Sequence, residues 1–329
     1  MRRILAVVTL LAAWCVAPGA GAQPASTGSG QAYPAKPVRV LVGFPPGSGA
    51  DISARVIGRR LGEALGQQLI IDNRPGAASN IAAELAAKSA PDGYTIFVGT
   101  VANTINTTLY PKLPFDFQRD FAPIVLATAA PNVLVVHPSV PARSVKELIA
   151  LARSRPGALT FASAGTGTAP HLSGELFASM TGVKLVHVPY KGSPPAVADV
   201  MSGEIALIFS PASTVLPHVR TGRLRALAVT TAARLASLPG LPTVAESGLK
   251  GYETLTWFGF VAPVRTPGEI VTRLNADIVK ILALADTRQL FAAQGIETYG
   301  GTPEQFASYI RDEIAKWAKV IRLSGAKAE

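Results

Sequence analysis

The sequence predicts an α/β protein made of two successive units, each a mostly parallel sheet flanked by helices. Three observations carry that expectation. Short β-branched runs alternate with helical spacings along the chain, the alternation restarts after Pro131, and the C-terminal stretch is mostly helical, as a chain returning to its first unit would be.

Met1-Arg2-Arg3 is a basic start, and Ile4 to Val16 is an apolar run shorter than the ~20 residues a membrane span needs. Ala20-Gly21-Ala22 adds a small-residue cleavage pattern, so a secretory signal peptide is expected over 1–22. Residues 23–33, with Gly, Ser and Thr over Thr27 to Gln31, read as a flexible leader. Val38 to Phe44 is apolar and β-branched, hence a strand. Asp51 to Leu65 carries helical spacing at Ile52, Val56, Leu61 and Leu65, and Gly66 ends it. Leu69 to Asp72 is a second strand, Ile81 to Lys88 a helix closed by the turn Pro91-Asp92-Gly93, and Thr95 to Gly99 a third strand. This β-α-β-α-β order implies parallel pairing.

After Pro131 the pattern repeats. Strands are expected at Val133 to Val136, Leu159 to Ala162, Lys184 to Val188, Ile205 to Phe209 and Leu224 to Val229. Helices are expected at Val145 to Arg153, Leu172 to Met180, Ala196 to Met201 and Val215 to Val219. Leu238 to Gly251 is rich in Pro and Gly and reads as a loop, and Leu255 to Val261 as a strand. Ile270 to Leu284 and Phe306 to Ile321 are amphipathic helices opened by Pro267 and by Thr302-Pro303-Glu304. The chain is then expected to cross between units near Ala127 to Pro131 and return near Thr254 to Phe258. That places 34–128 with 257–329 in one lobe and 129–256 in the other.

Apolar residues are 48% of the 329 and charged residues 16%, enough for sizeable cores and unlike a disordered chain. Cys15, the only cysteine, falls in the signal peptide, so no disulfide, thiol nucleophile or cysteine metal site is expected. His137, His171, His187 and His218 show no ligand spacing, so no metal and no cofactor is expected. The formal charge is +10, about +8 without Arg2 and Arg3. Lys and Arg are scattered, with no basic run and no interleaved aromatic stripe, which argues against nucleic acid as a partner and leaves a generally basic surface.

Two strand–loop–helix junctions are the most informative segments. One is Val42-Gly43-Phe44-Pro45-Pro46-Gly47-Ser48-Gly49-Ala50-Asp51. The other is Ala162-Ser163-Ala164-Gly165-Thr166-Gly167-Thr168-Ala169-Pro170-His171. A helix start leaves backbone N–H groups unpaired and partly positive, and glycine lets an anion approach them. Such a junction can hold a carboxylate or phosphate without Lys or Arg, although Gly and Ser also serve plain turns. No phosphate-loop G-x-x-x-x-G-K-[ST] occurs, and Gly165-Thr166-Gly167 lacks the third glycine of a dinucleotide fingerprint. Thr100 and Asn103, Tyr190 and Lys191, and Ser210 and Ser213 sit in loops expected on the same side, as site walls or as ordinary caps and turns. Asp51 reads as a helix cap or as the partner of a ligand amine, and His171 as a ligand contact or a cap.

These segments resemble the Bug family, the extracytoplasmic receptors of tripartite tricarboxylate transporters. The resemblance rests on Tyr33-Pro34-Ala35-Lys36-Pro37-Val38, Gly43 to Asp51, Asp72-Asn73-Arg74-Pro75-Gly76-Ala77 and Pro91-Asp92-Gly93-Tyr94-Thr95. His187-Val188-Pro189-Tyr190-Lys191-Gly192, Leu238 to Gly248 and the tail around Trp317 match as well. It implies a type II periplasmic-binding-protein fold, with two lobes on a two-strand hinge and a solute cleft between them. It also implies a carboxylate held by backbone amides, hydroxyls and water. Phe44, Gly47, Ser48 and Asp51 would come from the first loop, and Gly165, Thr166, Gly167, Thr168 and His171 from the second. Thr100, Asn103, Tyr190 and Ser210 would line the walls. Ser48-Gly49 stands where the family often has Gly-Gly, and Ser210 where many members are acidic. Di- and tricarboxylates, amino acids and aromatic acids are all compatible solutes.

The expected role is a monomeric periplasmic solute-binding protein that works with membrane transporter subunits and has no catalytic residues. A solute sensor signalling to a membrane kinase fits the same features. A hydrolase using Ser48 or Ser163 fits less well, because neither serine sits in a G-x-S-x-G elbow.

Overall fold

The computed structural model describes residues 33–235 and 238–327. The expected signal peptide and all of the leader except Tyr33 lie outside the described residues. Tyr33 is anchored: its hydroxyl donates to the Gly93 carbonyl at 2.8 Å, and its ring meets Tyr94 edge-on.

The first unit runs β1 (Val38–Val42), α1 (Gly49–Leu65), β2 (Leu69–Asn73), α2 (Asn80–Ala87), β3 (Thr95–Thr100) and α3 (Val101–Leu109). β1 pairs in parallel with β2 on one side and β3 on the other. Then comes β4 (Phe121–Val136), 16 residues long. The second unit follows as α4 (Val145–Ser154), β5 (Thr160–Ser163), α5 (Ala169–Thr181), β6 (Val186–Pro189), α6 (Ser193–Ser202), β7 (Leu207–Pro211), α7 (Ala212–Arg220) and β8 (Arg225–Val229). The chain returns through β9 (Leu255–Pro263) and ends with α8 (Gly268–Ala283), α9 (Ala285–Ala293), β10 (Glu297–Gly300) and α10 (Pro303–Ser324).

β4 is a central strand of both halves. Its first part lies between β9 and β10, with Phe121 opposite Pro263 and Ala129 opposite both Trp257 and Glu297. Its second part lies between β7 and β8, with Val133 opposite both Ser210 and Val229. One lobe therefore has the strand order β2-β1-β3-β9-β4, and the other β4-β7-β5-β6. Strand alternation sends neighbouring residues to opposite faces. Val40 joins the core of Ile57, Phe260 and Leu274, while Leu41 joins that of Phe97, Trp257 and Trp317. In the other lobe Leu134 and Phe209 fill one layer, and Val133 and Ile208 the other.

The expected alternation of strands and helices is present, with four differences. α3 and β10 form where no element is expected. β4 begins twelve residues before the expected strand at Val133. The helix expected over Ile270 to Leu284 is present as α8, and the fourth difference is α9, an unexpected helix that follows it after Leu284, whose ψ of 133° is extended.

Candidate functional site

Five helices begin around one small cavity of about 30 Å³. Ser48, Gly49 and Ala50 bring the start of α1, and Thr100, Val101 and Ala102 that of α3. Thr168, Ala169 and Pro170 bring α5, Ser193 brings α6, and Pro211 caps α7. Phe44, Ala164, Thr256 and Phe258 complete the lining. No lining side chain is ionisable, so the local field comes from helix ends, each carrying roughly half a positive charge.

The caps decide which amides are available. At α1 the Ser48 hydroxyl accepts from the Asp51 N–H at 3.3 Å, and the Asp51 carboxylate accepts from the Gly47 N–H at 3.0 Å. The amides of Gly49 and Ala50, the first two of the helix, keep no capping side chain. α3 is closed by a capping box: Thr100 accepts from its first turn, and Asn103 accepts from the Thr100 N–H at 2.9 Å. α5 and α7 have no side-chain cap. Pro170 has no N–H, so Ala169 and His171 supply the donors of the first turn of α5. Around α7 the buried hydroxyls of Ser210, Ser213 and Thr214 have no hydrogen-bond partner.

A larger chamber of about 300 Å³ adjoins this cavity, sharing Phe44 and Ala164 with it. Gly43 and Gly76 to Ser79 line one side, Gly165, Thr166, Pro189, Tyr190 and Lys191 the other, with Tyr110 between them. Residues 77–79 all have positive φ, 45° to 75°, although none is glycine. Lys191 is the one lining residue of either space with a full positive charge.

The halves touch across this region. The Tyr110 hydroxyl donates to the Thr166 carbonyl at 3.4 Å. Gly192 packs on Pro45 and Gly167 on Asn106 and Leu109 so closely that neither has room for a Cβ.

The expected site residues divide accordingly. Phe44, Ser48, Thr100 and Thr168 line the cavity, and Phe44, Gly165, Thr166 and Tyr190 line the chamber. Gly47, Asp51, Asn103, Gly167, His171 and Ser210 line neither; Gly47 is exposed, and the side chains of Asp51, Asn103, His171 and Ser210 are buried. Asp51 holds the first loop together: burial would raise its carboxyl, but Arg55, the Gly47 N–H and Asn73 outweigh this and keep it below the ordinary range. The Tyr190 hydroxyl donates to Asp199 at 2.5 Å, and burial together with that carboxylate pushes the phenol up to about 12.

Gly49, Ala50, Ala169, Pro170, Ser193, Thr256 and Phe258 line the cavity without having been among the expected site residues. For Gly49, Ala50, Ala169 and Pro170 the signal was present, since they lie in the two marked junctions; the helices expected from Asp51 and Leu172 begin earlier, at Gly49 and Ala169. Among the described residues no group of three or more His, Cys, Asp or Glu could hold a metal ion, and no helix is long and apolar enough to cross a membrane.

Among the described residues two Ser–His pairs resemble a nucleophile and its base, each 2.7 Å apart: His137 Nδ1 with Ser139 Oγ, which lines neither space, and Ser163 Oγ with His187 Nε2, beside the second loop. Ser163 is fully buried and lines neither space, and its hydroxyl also accepts the Gly165 N–H at 3.1 Å.

Comparison with known proteins gives a consistent picture. The family described as "Tripartite tricarboxylate transporter family receptor" matches residues 53–325. Protein BugT of Bordetella pertussis is 38% identical over 329 residues, covering 99% of each chain. The structure of R. palustris Rpa4515 with adipate superposes with a TM-score of 0.88 at 40% identity, covering 90% of this chain and 99% of that one. MatC from Rhodopseudomonas palustris with bound malate gives 0.84 at 30% identity, covering 88% of this chain and all of that one.

Proposed function

This chain belongs to the tripartite tricarboxylate transporter receptor family, and from that premise we propose that it is a periplasmic binding protein for a small carboxylate. The observation that carries the proposal is the convergence of five helix starts on one uncharged cavity. Oriented amides at low dielectric favour an anion strongly, and a carboxylate accepts from several at once. The relatives with adipate and malate support the same class of solute.

A cavity of about 30 Å³ takes one carboxylate head and little more. The rest of the solute then occupies the chamber, where Lys191 offers a distal anion its only cationic partner. This favours an elongated dicarboxylate over a compact monocarboxylate. No acidic side chain lines either space, so a ligand amine would find no counter-charge there.

We assign 34–128 with 257–329 to one lobe and 129–256 to the other, hinged where β4 and β9 pass between them. Closure over the solute presents a defined face to membrane transporter subunits, and the ligand drives it by binding the closed form more tightly. The reading includes no catalytic step. Crystals grown with adipate test it. One carboxylate is expected against the amides of Gly49, Ala50 and Ala169, and adipate bound elsewhere, or excluded, refutes the assignment.

A further inference from the structure

We propose that His171 and His187, together with Ser163, are positioning residues of the solute site: their side chains fix the 164–168 turn from behind and so set solute affinity without themselves touching the solute. The proposal rests on the carboxylate reading above and deepens it.

The contacts form a connected set. The Ser163 hydroxyl accepts the Gly165 N–H at 3.1 Å and lies 2.7 Å from His187 Nε2. The His187 ring stacks on Phe161 at 4.8 Å and on His171 at 4.2 Å. His171 Nδ1 accepts the Gly167 N–H at 3.2 Å. Two residues of β5, one of β6 and one of α5 therefore grip the two glycines of a single turn.

The bonding inventory assigns the protons. A backbone N–H can only donate, so His171 Nδ1 is bare and its proton sits on Nε2. Ser163 already accepts from Gly165, and the one remaining acceptor for its own proton is His187 Nε2, so His187 carries its proton on Nδ1. Both rings must be neutral for the turn to hold. They are: burial, with the neighbouring ring adding for His171, brings His171 down to about 3 and His187 to about 4. Glu175 on α5 is the ionisable side chain facing the pair, 3.8 Å from His171 Nε2, and burial raises its carboxyl. Phe161 is uncharged.

The arrangement has a direct consequence for the site. The Gly165 and Gly167 amides point inward and are engaged, with φ of 126° and 85° that a side chain would resist. Among the described residues the amides of Thr166, Ala169 and His171 have no hydrogen-bond partner and remain for an anion. A turn released from the two histidines would lose that division.

The two histidines use different nitrogens, which gives a selective test. Asn places its oxygen where Nδ1 lies, and Gln places its oxygen near Nε2. Adipate affinity is measured by calorimetry at neutral pH for His171→Phe, His187→Phe, His171→Asn and His187→Gln, and for the swapped variants His171→Gln and His187→Asn. The Phe and swapped variants are expected to weaken adipate by at least about ten-fold, the loss of one buried hydrogen bond, and the matched variants to stay within about three-fold. Phe variants that bind like wild type overturn the proposal, as does equal loss in matched and swapped variants. In ligand-free protein the Gly165 and Gly167 amide resonances are expected to follow protonation of the histidines, and indifference to it overturns the anchoring. Wild-type protein that binds no carboxylate while those resonances respond refutes the functional reading instead.

Discussion

Gly167 shows how much one residue can decide. Its Cα faces Asn106 across the contact between the halves, and an added Cβ would lie 2.1 Å from the Asn106 Oδ1 and 3.1 Å from Leu109. Gly167→Ala is expected to hold the halves apart and weaken solute binding by at least about ten-fold, with its φ of 85° adding strain. A titration of the variant against wild type measures this. The histidines make a second prediction. Their folded pKa values, about 3 and about 4, lie below the ordinary value near 6.5. Between those limits the unfolded chain binds more protons, so stability falls as the pH drops from about 6.5 towards 4. Melting scans should show that loss, reduced in His187→Phe. The sequence revealed the glycine-rich turn and the helix it opens, but it suggested that the glycine amides meet the solute. In the structure the Gly165 amide meets the Ser163 hydroxyl and the Gly167 amide His171 Nδ1, both within the same segment, whereas the support of Ser163 by His187, 24 residues on, is a contact that no local pattern reports.

At the scale of elements, α10 is fastened to the sheet through one buried carboxylate. Glu313 Oε2 accepts from the Trp257 indole at 3.0 Å and the Trp317 indole at 2.9 Å, while Lys316 lies 3.2 Å from Oε1. Glu313→Ala would leave two buried donors unsatisfied and is expected to destabilise by about 2–4 kcal/mol. Glu313→Gln, which keeps an acceptor, should lose less, and denaturant unfolding of both variants checks the order. Most elements were legible because their apolar spacing is clean. α3 was not: V-A-N-T-I-N-T-T-L is full of β-branched and Asn residues that favour other conformations, and tertiary packing with α10 overrides this. The start of β4 was hidden by Pro123 and Pro131, residues that argue against a central strand. Pro123 falls at a register shift, and Pro131 where the strand changes partners, so neither interrupts a regular ladder.

For the whole molecule, the topology itself builds the site. Parallel strands place the helices that follow them at one end of each sheet, and β4 joins the two sheets so that these ends face each other. The formal charge, +10 or about +8 without Arg2 and Arg3, would give long-range attraction for anions, but the cavity contains none of it; on the carboxylate reading, selectivity there would come from amides that can only donate. Calorimetric titration with adipate and with its uncharged diamide isolates that claim, since the two match in length and differ in the head groups the amides would meet. Adipate should bind, and the diamide should bind at least about a hundred-fold more weakly, because its NH₂ groups confront donors with donors. A diamide that binds as tightly as adipate would contradict anion recognition by the helix starts.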